Sequence, residues 1–383
     1  AGSRRRRRGE TEPMIKLDRR LIINFDWTLF VLVLLLSIIG LLNIYSAGFS
    51  LTEMRQTPYY LKQIQWILIG VLGMAIAFFV DYRFLGRHAY VIYLLSIALL
   101  AVVFVSGYAT RGSQRWIVIA GFGLQPSELV KLTLVLALAK YFDRHRLGRS
   151  YRLRELWVPF LIVLVPFLFI LKQPDLGTGL ILLILFLSLI FFVGLEWKSF
   201  FIAFSGGLVL VPLFWHFLKD YQKERILTFF SPERDPLGSG YHIIQSMIAV
   251  GSGGLFGKGF LKGSQTQLKF LPEQQTDFIF SVFAEEWGFL GGMVLMFMFL
   301  SLILWGLKIV IHSKDYVGAL VAFGITMLIF WEVFINIGMV LGILPVVGIP
   351  LPFLSYGGSS MVVLMTAVGL LMNISVRRYI LQS

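Results

Sequence analysis

Ten apolar runs, each close to a bilayer in length, decide what this chain can fold into. They fall at 27–47, 63–80, 88–107, 126–142, 156–172, 177–194, 198–218, 278–310, 317–343 and 357–376. A helix of about twenty apolar residues spans the hydrocarbon core, and backbone inside lipid must satisfy its own hydrogen bonds, so runs of this length read as membrane helices. The expected fold is an all-α polytopic membrane protein of about ten transmembrane helices. Residues 14–383 read as one membrane domain, with a long structured extracytoplasmic loop at 219–277, between the seventh and eighth helices. Only Glu196-Trp197-Lys198 separates the sixth run from the seventh, and the run at 278–310 exceeds one bilayer thickness, so it should tilt or project. Hydrophobic residues make up 57% of the 383 and charged residues 14%, against roughly 45–50% and about 25% in soluble domains. The chain has no cysteine, which excludes disulfides, thiolate catalysis and cysteine metal sites. Its five histidines, at 88, 145, 216, 242 and 312, lack the spacing of metal ligands.

The formal net charge is +13. Residues 1–13, AGSRRRRRGETEP, contribute five arginines and two glutamates and read as a basic tail or an artificial leader. The rest reads as loop charge facing anionic membrane lipids, not as a nucleic-acid surface. With an even number of spans, sixteen lysines and arginines fall on the side of the termini and five in the short loops opposite. That asymmetry places both termini in the cytoplasm. The first span is too long for the apolar core of a signal peptide, so it stays as an anchor.

Three segments on the outer side break the helical pattern. Residues 219–277 are far longer than a usual connection and contain Tyr241–Val250, an amphipathic helical stretch. Residues 111–127 are rich in glycine and polar groups, and 342–360 hold three prolines and a Gly-Gly pair. Irregular backbone at membrane depth survives where protein or a watery cavity shelters it, so the three imply a shared outward-facing cavity.

Polar groups at the ends of the spans mark where chemistry could sit. Asp277 reads either as a helix N-cap for the run beginning at 278 or as a carboxylate at the mouth of the cavity, available as a general base. Glu128 and Lys131, at i and i+3 after Pro126, share a helix face and form a packing ion pair or part of the site. Asp175, in Gln173-Pro174-Asp175-Leu176-Gly177-Thr178, caps the next span or adds a second cavity carboxylate. Glu285 and Glu286 lie about 80° and 180° round a helix from Asp277, so at least one must meet a neighbouring element. The run Gly251–Gly259 invites a Walker-loop reading, but Ser252 stands where the first glycine belongs and Gly259 follows Lys258 where Ser or Thr is needed. No nucleotide is expected, although backbone amides with Lys258 and Lys262 could hold a lipid phosphate. These residues fit a transporter or a lipid-handling enzyme equally.

The segments Gln125-Pro126-Ser127-Glu128, Gln173–Thr178, Asp235–Ser246, Leu271–Phe280 and Pro352–Gly358 resemble, in order and spacing, the SEDS family (shape, elongation, division and sporulation). The likeness covers essentially 15–380. Gly240–Ser246 and Leu344–Gly348 look like its rod-shape-determining branch more than its division branch. The resemblance implies a peptidoglycan glycosyltransferase that polymerises lipid II at the outer leaflet of the bacterial cytoplasmic membrane. The family works with a class B penicillin-binding protein and other membrane proteins of the elongation complex. The family's essential aspartate falls on Asp277, as general base. The substrate-binding set expected with it is Glu128, Lys131, Arg115, Asp175, Lys258, Lys262 and Ser355. A divalent cation, magnesium or manganese, is expected to assist, its ligands unassigned. The alternatives are a lipid II flippase or a scaffold that activates the transpeptidase.

Overall fold

The computed structural model describes residues 23–380 apart from 51–54, 107, 111–112, 120–121, 218–219, 232–238 and 272. The basic tail at 1–13 lies outside the described residues. Ten long helices coincide with the ten apolar runs: α1 (Trp27–Ala47), α2 (Tyr59–Phe79), α3 (Tyr82–Ser106), α4 (Pro126–Arg144), α5 (Trp157–Lys172), α6 (Leu176–Val193), α7 (Trp197–Phe217), α11 (Ile279–Ile311), α12 (Tyr316–Val340) and α13 (Gly358–Ile380). Between α7 and α11 lie three shorter helices, α8 (Asp220–Phe230), α9 (Ser239–Ser252) and α10 (Ser264–Gln267). The second of them covers the amphipathic stretch read from the sequence. Among the described residues, eight helices are long and apolar enough to cross a membrane; α4, which carries five charged residues, and α7 are not among them.

The chain is not purely helical. Strands β1 (Phe49–Ser50) and β2 (Arg55–Gln56) pair antiparallel, and β3 (Tyr108–Thr110), β4 (Ser113–Ile119) and β5 (Phe122–Leu124) form a three-stranded antiparallel sheet. The stretch at 111–127, expected to be irregular, is largely this sheet. Trp116-Ile117-Val118-Ile119 is a β-branched and aromatic run that pairs well in a hairpin.

Helix starts follow local chemistry. Asp26 caps α1 by accepting from Leu29 N at 3.3 Å, and Asp315 caps α12 by accepting from Gly318 N at 2.7 Å. Pro126 opens α4 at a position where its missing N–H costs nothing. The caps also pin helices together. Asp26 accepts from Trp305 Nε1 on α11 and from Ser375 Oγ on α13, and Asp315 accepts from Tyr82 OH at the start of α3. Such polar bridges matter because lipid is as apolar as leucine and helix association there rests on close packing and hydrogen bonds. Helices α4, α12 and α13 are the most enclosed, with α2 along α13, α3 along α4, α11 along α1 and α12, and α12 against α4 and α6.

The overlong run at 278–310 is one helix with a break. Gly288 has φ 66° and ψ −166°, a conformation open only to glycine, and interrupts the ladder of α11. The groups so freed are met by the loop before the helix. Lys258 N and Gly259 N donate to Glu285 O and Glu286 O at 3.0 Å each, and Phe289 N and Leu290 N donate to Gly254 O and Leu255 O at 2.8 and 3.1 Å. Two carbonyls and two N–H groups beside the break are thereby paired with the loop.

Candidate active site

The segments singled out from the sequence converge on one chamber of about 590 Å³ at the end of the bundle where α4, α6, α11 and α13 begin. It is lined by the carboxylates Glu128, Asp175, Glu273 and Asp277, the guanidinium groups of Arg115 and Arg225, and the rings of Tyr59, Trp116 and Tyr356. The polar chemistry is thus concentrated in a sheltered hollow.

Asp277 stands in the turn leading into α11, one residue before the position that begins the helix, Phe278. Its carboxylate lies beside Gly348, close enough that a β-carbon there would sit 3.4 Å from Asp277 Oδ2. Gly348 has φ +74°, so glycine serves both the backbone conformation and the space. The main chain around Asp277 is held by donors from three other elements. Tyr356 N donates to Gln275 O at 2.8 Å and Ser355 Oγ to Thr276 O at 2.6 Å. Asn336 Nδ2, on α12, donates to Asp277 O at 2.9 Å, and Asn43 Nδ2, on α1, to Ile279 O at 2.9 Å.

Asp175 fulfils both sequence readings. It caps α6, accepting from Thr178 Oγ1 at 2.9 Å and Thr178 N at 3.4 Å, and it lines the chamber, 3.7 Å from Arg115 NH1. Arg115 reaches in from β4 and is oriented by donating Nε–H to Gln173 O at 2.9 Å and NH2 to Pro174 O. Glu128 lines the wall, with Lys131 directly behind it. Lys131 Nζ is 2.8 Å from Glu128 Oε2 and 2.6 Å from Glu332 Oε1, and all three side chains are at most 5% exposed. Two carboxylates thus share one ammonium. Tyr356 is pushed to a higher pKa, first by burial and then by Tyr59, so its hydroxyl stays protonated and able to donate into the chamber.

Besides Lys131, three other expected residues do not line the chamber. Ser355 is buried and its hydroxyl serves the main chain, accepting from Leu351 N at 2.8 Å while donating to Thr276 O. Lys258 pairs with Glu285 at 2.7 Å, and Lys262 is exposed elsewhere on the loop. The glycine-rich amides considered for a lipid phosphate are also committed, since Lys258 N and Gly259 N bind the carbonyls at the break in α11. Glu285 accepts from Gln265 N, Thr266 N and Thr266 Oγ1, and Glu286 accepts from Ser46 Oγ and Leu261 N. Both glutamates therefore tie loop to helix, outside the chamber. Glu332, Asn336, Arg225 and Tyr356 escaped the sequence reading. A glutamate and an asparagine four residues apart inside an apolar run were the available signal for the first two. Arg225, on the amphipathic α8, gave none.

Among the described residues no group of three carboxylates or imidazoles stands close enough to hold a metal ion.

The family model described as "Cell cycle protein", covering FtsW, RodA and SpoVE, matches residues 26–380. The peptidoglycan glycosyltransferase MrdB of Escherichia coli (strain K12) is 39% identical over 360 residues, 94% of this chain and 95% of that protein. The peptidoglycan glycosyltransferase RodA of Treponema pallidum is 34% identical, over 93% of this chain and 99% of its own. A solved structure reported as "Structural coordination of polymerization and crosslinking by a peptidoglycan synthase complex" superposes with a TM-score of 0.79 at 33% identity, covering 94% of this chain and 99% of that one. With a family model matched over 26–380 and relatives 39% identical along almost its whole length, the chain belongs to the SEDS family of FtsW, RodA and SpoVE proteins.

Proposed function

We propose that this chain is a peptidoglycan glycosyltransferase that polymerises lipid II into β-1,4 glycan strands, with Asp277 as the general base. The 4-hydroxyl of the acceptor's N-acetylglucosamine attacks C1 of the donor's N-acetylmuramic acid. The new C1–O bond forms as the bond from C1 to the pyrophosphate oxygen breaks. The hydroxyl proton passes to Asp277, and undecaprenyl pyrophosphate leaves with the electron pair. One displacement converts an α-linked donor to a β-linked product. Inverting glycoside hydrolases need a second carboxyl group to protonate the departing oxygen; a pyrophosphate leaves without one. Positive charge near the leaving group is then the remaining requirement, and Arg115 and Arg225 supply it. The divalent cation is assigned to the substrate's own pyrophosphate, because magnesium commonly binds through phosphate oxygens and one or two carboxylates.

The observation that carries this reading is the placement of Asp277 in one chamber with Glu128, Asp175 and two arginines. The loops that form the chamber lie on the side poor in lysine and arginine, which puts the reaction at the extracytoplasmic face of the bacterial inner membrane, with both termini cytoplasmic. The glycan would then pass to a class B penicillin-binding protein for crosslinking, within a membrane complex that elongates the wall. The test is Asp277→Asn in liposomes given fluorescent lipid II. Polymer should vanish while folding and partner binding persist. Retained polymerisation removes Asp277 from the base role, and translocation of lipid II without polymer favours a transporter.

A further inference from the structure

We infer that Asn336 is the positioning residue of the general base, and that α12 sets the geometry of both halves of the site. The inference rests on the proposed role of Asp277 and goes beyond it, since Asn336 touches no substrate. Its side chain is fully enclosed, and Nδ2 lies 2.9 Å from Asp277 O and 2.7 Å from Ile349 O. Both neighbours are carbonyl oxygens, which accept only, so the amide nitrogen must be the atom facing them. The single NH2 group thus joins the main chain of the base to the segment carrying Gly348, the residue against which the carboxylate rests. The opposite atom, Asn336 Oδ1, is buried without a hydrogen-bond partner. An unpaired acceptor inside a membrane protein carries a cost that leucine would avoid, and the two bonds on the other side are what the asparagine provides.

One turn before it on the same face of α12 is Glu332, which holds Lys131 and, through it, Glu128. The base and the glutamate on the chamber wall are therefore referenced to one helix. The nearby donors Ser355 and Asn43 hold the flanking carbonyls of Thr276 and Ile279, and Asn336 holds the carbonyl of Asp277 itself.

The test is lipid II polymerisation by the full chain in liposomes, with Asn336→Ala and the isosteric Asn336→Asp, each normalised to folded protein. Loosening the base by a fraction of an ångström should lower kcat about 10- to 100-fold, as misplacement of a reacting group does. KM should move by less than about twofold, because the lining that binds substrate is untouched. Asn336→Asp decides the matter if the alanine variant does not fold. An asparagine with a merely structural role would reduce the yield of folded enzyme and leave kcat per folded molecule at the wild-type value, which would overturn the inference. So would a rise in KM with kcat unchanged. Asp277→Asn, run alongside, separates the two readings. If it is inactive while both Asn336 variants keep wild-type kcat, only the positioning role falls; if it polymerises normally, the positioning role falls together with the base.

Discussion

Replacing Lys131 with methionine removes the one cation between two buried carboxylates. The ammonium stands 2.6 Å from Glu332 and 2.8 Å from Glu128, with side-chain exposures of 3%, 0% and 5% for the lysine and the two glutamates. Methionine fills nearly the same volume, so the loss is electrostatic and not a cavity. Stripping one partner from a buried pair costs about 3–5 kcal/mol, because the remaining charge keeps its desolvation penalty and loses its attraction. By the usual scaling of unfolding entropy with chain length, a 383-residue chain should melt about 4–6 °C lower. The assay is thermal unfolding of purified protein in detergent, with polymerisation measured in parallel and expected to be lost as Glu128 moves on the chamber wall. The double variant Lys131→Met with Glu332→Gln removes one anion with the cation and should regain about half of the lost stability or more. A single variant that melts with the wild type would refute the argument, as would a double variant less stable than the single.

Other consequences are as direct. Gly348→Ala forces a side chain into φ +74° and sets a methyl group 3.4 Å from Asp277 Oδ2, so kcat should fall about tenfold while the fold persists; wild-type kcat would show that the carboxylate does not work from this position. Glu285→Gln turns one of two fully engaged carboxylate oxygens into a donor, facing either Lys258 Nζ and Gln265 N or Thr266 N and Oγ1, at a cost of about 1–3 kcal/mol. Hydrogen exchange at 258–266 should quicken roughly tenfold or more on the scale of 1.4 kcal/mol per decade, and unchanged exchange would mean the carboxylate does not hold the loop.

The sequence was most legible where a cost had to be met locally. Runs of twenty apolar residues have few fates other than membrane helices, so their positions could be read directly, and Pro126 and Asp175 announce helix starts through their own backbone chemistry. Asp277, Glu128 and Asp175 were visible because carboxylates at span ends are rare. What stayed hidden depends on the approach of distant elements. Nothing near Ser355 says that its hydroxyl will meet the carbonyl of Thr276, 79 positions away, instead of a substrate. Lys258 looked available for a phosphate until Glu285 was found against it. Arg225 became a chamber residue only because the long loop folds back over the opening, which composition and periodicity do not encode.

The splice at Gly288 bears on how force travels through the molecule. Four backbone bonds sew residues 254–259 to the interruption in α11, and releasing any of them would leave a donor and an acceptor of the broken ladder without that partner. The long membrane helix and the loop beside it must consequently move together, as a lever welded to its handle. Sideways pressure anywhere along residues 289–311 reaches the short helical stub that begins beside Asp277 with no slack in between.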